Sequence, residues 1–203
     1  VIGFTETRQF PNVLFLNNIY IDAHFRGKGL GTELLKKSIQ MTRDNSQESI
    51  CLDVFNDNKK VLDWYLSLGL KRKYEQLWML HRIEADNFKD NRLSWWKLIK
   101  LSEANRLYDI YMFSEFIMET ELKNYTIGKI GETLFKTTDI SILNDISALE
   151  GLYYLDKNRI LLIICEDNQT KNENTLIRGK IIAKSARLTG NIDQLLRRLA
   201  MKL

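Results

Sequence analysis

Two runs rich in Val, Ile, Phe and Leu open the chain, "VIGFTETRQF" (Val1–Phe10) and "NVLFLNNIYID" (Asn12–Asp22), and they predict two strands. Pro11 and Asn12 supply the turn between them. From Leu30, apolar residues fall at Leu30, Leu34, Leu35, Ile39 and Met41, the stripe of an amphipathic helix. A polar loop (Arg43–Ser49) leads to a short buried strand, "ICLDVF" (Ile50–Phe55). Asn58 stands at an N-cap position. Val61, Tyr65 and Leu68 share one face of the helix it starts, and Gly69 closes that helix. "KYEQLWMLHRI" (Lys73–Ile83) predicts a further strand.

The pattern changes near Ala85, where "ADNFKDN" breaks it. Beyond the break we expect a connecting helix over Arg92–Ile110 and strands over Phe113–Glu121 and Tyr125–Phe135. A helix over Ser141–Leu155, a strand at "RILLIICE" (Arg159–Glu166), a polar loop (Asp167–Thr175) and a basic helix (Ile192–Leu203) follow. This divides the chain into a first region over residues 1–85, a connecting helix over 86–110, and a C-terminal α+β domain over 111–203.

The 203 residues, 44% hydrophobic and 28% charged, are ordinary for a globular protein with a sizeable core. The net charge of +4 is mild, and no basic block is long enough to argue for nucleic acid. No apolar run approaches the roughly 20 residues of a membrane helix, so we expect no membrane partner. Cys51 and Cys165 lie in strand-like runs and read as buried thiols of a reducing, cytoplasmic compartment. With two histidines and no Cys-x-x-Cys, no metal site is expected.

The chemistry concentrates in "IDAHFRGKGLGTELLKKSI" (Ile21–Ile39), where Gly27, Gly29 and Gly31 alternate beside Arg26 and Lys28 just before a helix. A helix start carries unpaired N–H groups and partial positive charge, and glycines let an anion reach them. This is a phosphate cradle. A Walker A loop needs its lysine after the last glycine, but Lys28 precedes Gly31. The dinucleotide fingerprint needs a third glycine where Thr32 stands. The pyrophosphate loop of acetyl-CoA enzymes, [RQ]-x-x-G-x-[GA], fits Arg26, Gly29 and Gly31 without a gap.

"IYIDAHFRGKGLGTELL" resembles the central acetyl-CoA motif of the GNAT superfamily of N-acetyltransferases. "NKKVLDWYLSLGL" resembles its second motif through Asn58, Tyr65, Gly69 and Leu70, with Val61 and Trp64 in place of the usual Ala and Leu. The resemblance covers Val1–Ile83. It implies an α/β (α+β) fold with a mixed sheet flanked by helices, beside a second, smaller α+β region. It further implies acetyl-CoA as co-substrate and acetyl transfer to a primary amine by direct attack in a ternary complex. Ile19, Tyr20 and Ile21 would line the cofactor's pantetheine, with the Ile21 N–H holding the thioester carbonyl. Arg26, Gly27, Lys28, Gly29, Leu30, Gly31 and Thr32 would hold the pyrophosphate, and Asn58 would hydrogen-bond to the cofactor. Tyr65 would donate a strong hydrogen bond to the leaving thiolate; the competing reading is a core aromatic. Asp53 falls where one branch of the superfamily carries a glutamate base, with Asp22 as the other carboxylate near the cleft and a solvated strand residue as the competing reading. His24 reads as an exposed turn residue.

The chain departs from the family at both ends of this region. The first strand and two acceptor-wall helices that usually precede the match have no counterpart before Val1, so we expect a fragment of a longer protein or an apolar strand edge needing cover, by the second region or by self-association. "TLFKTTDISILNDISALEGLYYLDKNRILLIICEDN" (Thr133–Asn168) reads as strand, helix, strand. This makes the C-terminal region either a separate substrate- or partner-binding domain or a degenerate GNAT half. A non-catalytic acyl-CoA-binding or protein-interaction module is the alternative to an enzyme. The acceptor amine is not named by the sequence.

Overall fold

At Asn12 the backbone takes a left-handed conformation (φ 63°) and turns β1 (Gly3–Phe10) back on β2 (Val13–Ile21). The two strands pair antiparallel from Gly3↔Ile21 to Phe10↔Val13, with a register shift between Glu6 and Thr7 that leaves Asn17 as a bulge on β2. The computed structural model describes residues 1–44, 46–85, 94–172 and 179–201. They form two compact units, Val1–Glu75 with Ser185–Leu203, and Gln76–Lys184.

In unit 1, α1 (Leu30–Thr42) crosses from β2 to β3 (Ser49–Phe55), which lies parallel to β2. Leu35 and Ile39 turn the apolar stripe of α1 onto the sheet, and Ser38 accepts a hydrogen bond from Thr5 of β1 (2.8 Å). Next comes α2 (Lys59–Ser67), which buries Leu62 and Tyr65 and ends at Gly69, whose φ of 89° is the left-handed cap expected there. Residues 185–191 of the long strand β10 (Lys180–Asn191) run antiparallel to β3, from Ser185↔Phe55 to Asn191↔Ser49. The last helix, α6 (Ile192–Met201), sends Ile192, Leu195 and Leu199 into the same core. The opposite face of the sheet holds Phe4 stacked on Tyr20 (5.7 Å) and Phe10 edge-on to Phe15 (6.5 Å).

Unit 2 is also a mixed sheet with helices. It contains the end of β4 (Lys71–His81), followed by β5 (Trp96–Ile99), α3 (Leu101–Tyr111), β6 (Phe113–Thr120), β7 (Asn124–Ile130) and β8 (Leu134–Thr137). Then come α4 (Ile146–Leu155), β9 (Ile160–Glu166) and the four-residue α5 (Gln169–Asn172). Strands β5 to β8 pair antiparallel in succession, β8 runs parallel to β9, and β9 is antiparallel to β4. Phe116, Phe135, Met118, Ile142 and Leu152 fill the core.

Each unit is therefore of the expected α/β class. Residues 185–203 lie in unit 1 with Val1–Glu75. Ala186, Leu188 and Leu199 are fully buried in its core, by pairings too distant along the chain for a local pattern to reveal. Two local expectations are corrected. The expected helix over 92–110 begins only at Leu101, because Trp96–Ile99 is a strand and Lys100 turns the chain with φ 63°. The expected single strand at 125–135 is two, β7 and β8, separated at Gly131 (φ 46°). The polar break at 86–91 and the end of the 167–175 loop lie outside the described residues.

Candidate active site

The glycine corner is built as a bare helix start. A single 3-10 turn (Ala23–Phe25), capped by Asp22 accepting from the His24 N–H (3.0 Å), lifts the chain off β2. Gly27 (φ 78°) and Gly29 (φ 77°) then take left-handed conformations, and Gly29 is the N-cap of α1. A Cβ at either position would meet nothing within 4 Å, so the backbone itself lines open space there. Among the described residues, the backbone N–H groups of Gly27 to Gly31 have no protein acceptor; the first helix-start N–H to find one is that of Thr32, which donates to Gly29 C=O (3.0 Å). Gly27, Lys28 and Gly29 are exposed, while Leu30, Gly31 and Thr32 are half-buried. Arg26 bends back, its Nε donating to Ile21 C=O (2.8 Å) and its guanidinium lying 5.7 Å from the Tyr20 ring centroid. Lys28 sits 5.5 Å from the centroid of Phe25. The corner thus offers several aligned donors and two flanking cations to an anion, and its residues fit a pyrophosphate.

Beside it the sheet opens. Strands β2 and β3 pair only from Val13↔Ser49 to Leu16↔Leu52. Past that point β2 continues through the Asn17 bulge to Ile21, and β3 continues through Asp53 to Phe55, without pairing to each other. Asp22 N–H donates to Ile2 C=O (2.8 Å), so the alternation of an antiparallel ladder turns the polar groups of Asp22 and Tyr20 toward β1. The N–H groups of Ile19 and Ile21 face the other way, into the opening. The corner and the opening therefore join Ile19, Tyr20, Ile21 and Arg26 to Thr32 in one continuous stretch. A cleft of about 300 Å³ flanks it between α1 and the strand ends, lined by Ile2, Gly3, Ile21, Leu30 and Glu33 among others.

The remaining candidates differ in how available they are. Asn58 occupies the N-cap of α2, but its side chain makes no capping bond and is exposed, leaving the amide free for a ligand. Tyr65 is 3% exposed, with its ring 4.6 Å from that of Trp64 and its hydroxyl without a protein partner among the described residues. Burial pushes its pKa well above the ordinary tyrosine value. Asp53 is not a free carboxylate. Arg187, directly opposite on β10, grips it through both guanidinium edges, Nε to Oδ1 and Nη2 to Oδ2 (2.8 Å). Arg187 is itself sandwiched 5.0 Å from the Phe15 and 5.6 Å from the Tyr74 ring centroids. Burial draws the Arg187 pKa down, but the bonds to Asp53 more than offset it and hold it above its usual value. Both oxygens of the Asp53 carboxylate, expected as a base, are thus engaged by one guanidinium. The sequence reading missed Arg187, because only the strand register brings it to Asp53.

The sheet thus splays between two parallel strands, with a naked helix start at the mouth. The pattern of the acetyltransferase (GNAT) family matches residues 1–70 of the 203. Thialysine N-ε-acetyltransferase of Bos taurus is 28% identical over 78 residues, covering 38% of this chain and 46% of the relative. An uncharacterized N-acetyltransferase of Methanocaldococcus jannaschii is 33% identical over 72 residues, covering 36% of this chain and 30% of the relative. The chain thus spans less than half the length of these curated relatives. Among solved structures, a tandem GNAT protein from the clavulanic acid biosynthesis pathway has a similar fold (TM-score 0.60, 9% identity, 94% of this chain and 79% of that one). So does a GCN5-related N-acetyltransferase from Sphaerobacter thermophilus (TM-score 0.55, 12% identity, 94% and 77%).

Proposed function

We propose that the chain transfers the acetyl group of acetyl-CoA to a primary amine. The observation that carries this reading is the row of unaccepted N–H groups from Gly27 to Gly31 at the mouth of the β2/β3 opening. In this reading Gly27 to Thr32, with Arg26 and Lys28, hold the pyrophosphate, and the Asn58 amide steadies the cofactor's arm. The Ile21 N–H faces the thioester carbonyl, where oxygen charge develops as the amine attacks. Tyr65, kept neutral by burial, donates a hydrogen bond to the departing sulfur and does not surrender its proton fully. The amine arrives already deprotonated or loses its proton to water, since Asp53 is engaged by Arg187. The name of the cattle relative motivates trying amines on a flexible alkyl chain first.

The forked Asp53 also motivates a second reading, a module that binds acyl-CoA without turnover. Following release of free thiol from acetyl-CoA against a panel of lysine analogues, polyamines and peptides separates the two. Amine-dependent thiol release supports the enzyme. Acetyl-CoA binding without turnover on any amine supports the module, and absence of binding refutes both.

A further inference from the structure

Part of unit 2 repeats the construction of unit 1. In unit 1 an antiparallel pair (β1, β2) leads through a 3-10 turn and a helix (α1) to a parallel strand (β3), flanked in turn by an antiparallel strand (β10). In unit 2 the antiparallel pair β7, β8 leads through a 3-10 turn (Ile140–Asn144) and α4 to the parallel β9, flanked by the antiparallel β4. Both parallel pairs are four residues long.

The chemistry at the corner is inverted. Where unit 1 has Gly29 and open N–H groups, unit 2 has Asp145, 2% exposed, whose Oδ1 accepts from the Ala148 N–H (3.1 Å). Its other oxygen accepts from Thr120 Oγ1 (2.7 Å). Asp139 accepts from the Ser141 N–H (3.0 Å) and pairs with Lys123 (2.5 Å), so this cation is already engaged. The strand ends differ as well. Strand β8 ends at Thr137, its last residue paired to β9, and the β7/β8 ladder runs without the bulge that β2 carries. A phosphate entering here would meet a buried carboxylate on the donors it needs.

We propose that unit 2 is a second acetyltransferase-type half whose phosphate cradle is filled by its own Asp145 carboxylate, so that the chain has one cofactor site and not two. This goes beyond the proposed function, and its calorimetric arm rests on unit 1 binding acetyl-CoA. Titrating the full chain with acetyl-CoA by calorimetry should give one equivalent, and Gly29→Glu should abolish all of it. Amide resonances of Ile21–Thr32 should move on titration, while those of residues 138–149 should not. A second equivalent, or binding retained in Gly29→Glu with shifts at Ile146–Leu149, would overturn the proposal. Amide exchange in the free protein tests the filled cradle independently of any cofactor. A hydrogen bond to a charged acceptor should slow the Ala148 N–H by about tenfold or more relative to the Leu30 and Gly31 N–H groups. Equal rates would overturn the proposal even if acetyl-CoA never bound, an outcome that would by itself refute only the proposed function.

Discussion

Truncating Leu199 to alanine asks whether α6 belongs to the core of unit 1. Leu199 is fully buried and shares one core with Leu195 and the sheet residues Leu14, Ile50 and Leu188. A Leu→Ala change at such a site costs about 2–5 kcal/mol through lost transfer energy and the cavity left behind. Against a total stability of roughly 5–15 kcal/mol that is a large fraction. Each 1.4 kcal/mol is a factor of ten, so exchange through opening of unit 1 should accelerate by roughly 30- to 4,000-fold. Amide exchange followed by mass spectrometry reads this segment by segment. Peptides containing residues 13–16, 50–54 and 186–188 should exchange faster, and peptides from the β9 core at 161–165 should change far less. If the β9 peptides accelerated and those of β2, β3 and β10 did not, the assignment of α6 to the first core would be wrong.

Gly29→Glu places a side chain and a negative charge in the anion path and should weaken acetyl-CoA binding by at least about tenfold in calorimetry. Tyr65→Phe should lower turnover by about 10²–10⁴-fold with little change in cofactor affinity, as expected when a transition-state hydrogen bond is removed. Asp53→Asn should spare most of the turnover yet cost about 1–3 kcal/mol in denaturant unfolding, because it leaves the Arg187 guanidinium half-paired. Because burial raises the Tyr65 pKa, its neutral form stabilises the fold fully below about pH 10, and this contribution is lost as pH rises above that. Comparing wild type with Tyr65→Phe in alkaline unfolding should show a steeper loss for wild type.

The glycine corner was legible because its demands are local. Gly27, Gly29 and Gly31 must sit at fixed spacing for the backbone to be reached, and no distant partner has to be known. The ends of α2 were legible for the same reason, in Asn58 and Gly69. What escaped was set by register. Nothing near Arg187 announces that it faces Asp53, since the two meet only because β10 lies antiparallel on β3. The strand β10 itself went unread. Its inward residues, Ala186 and Leu188, alternate with Ser185, Arg187 and Thr189, and the alternation is short and crowded by basic residues. Trp96–Ile99 misled the reading in the other direction, because its apolar residues continue smoothly into the stripe of α3. Only the left-handed turn at Lys100 separates strand from helix, and lysine is not a residue that signals such a turn.

The division of unit 1 into two chain segments carries a consequence for synthesis. The ribosome delivers β1 to α2 early, but the strand and helix that finish the same core lie beyond residue 184. At ~5–20 residues per second, the intervening stretch takes on the order of ten seconds to emerge. Through that interval the first unit has its glycine corner made and its core unsealed, with Leu52 and Val54 lacking the β10 and α6 residues that share their core. Unit 2 has all of its own strands first. Every residue of unit 2 therefore leaves the ribosome before unit 1 receives its last strand and helix.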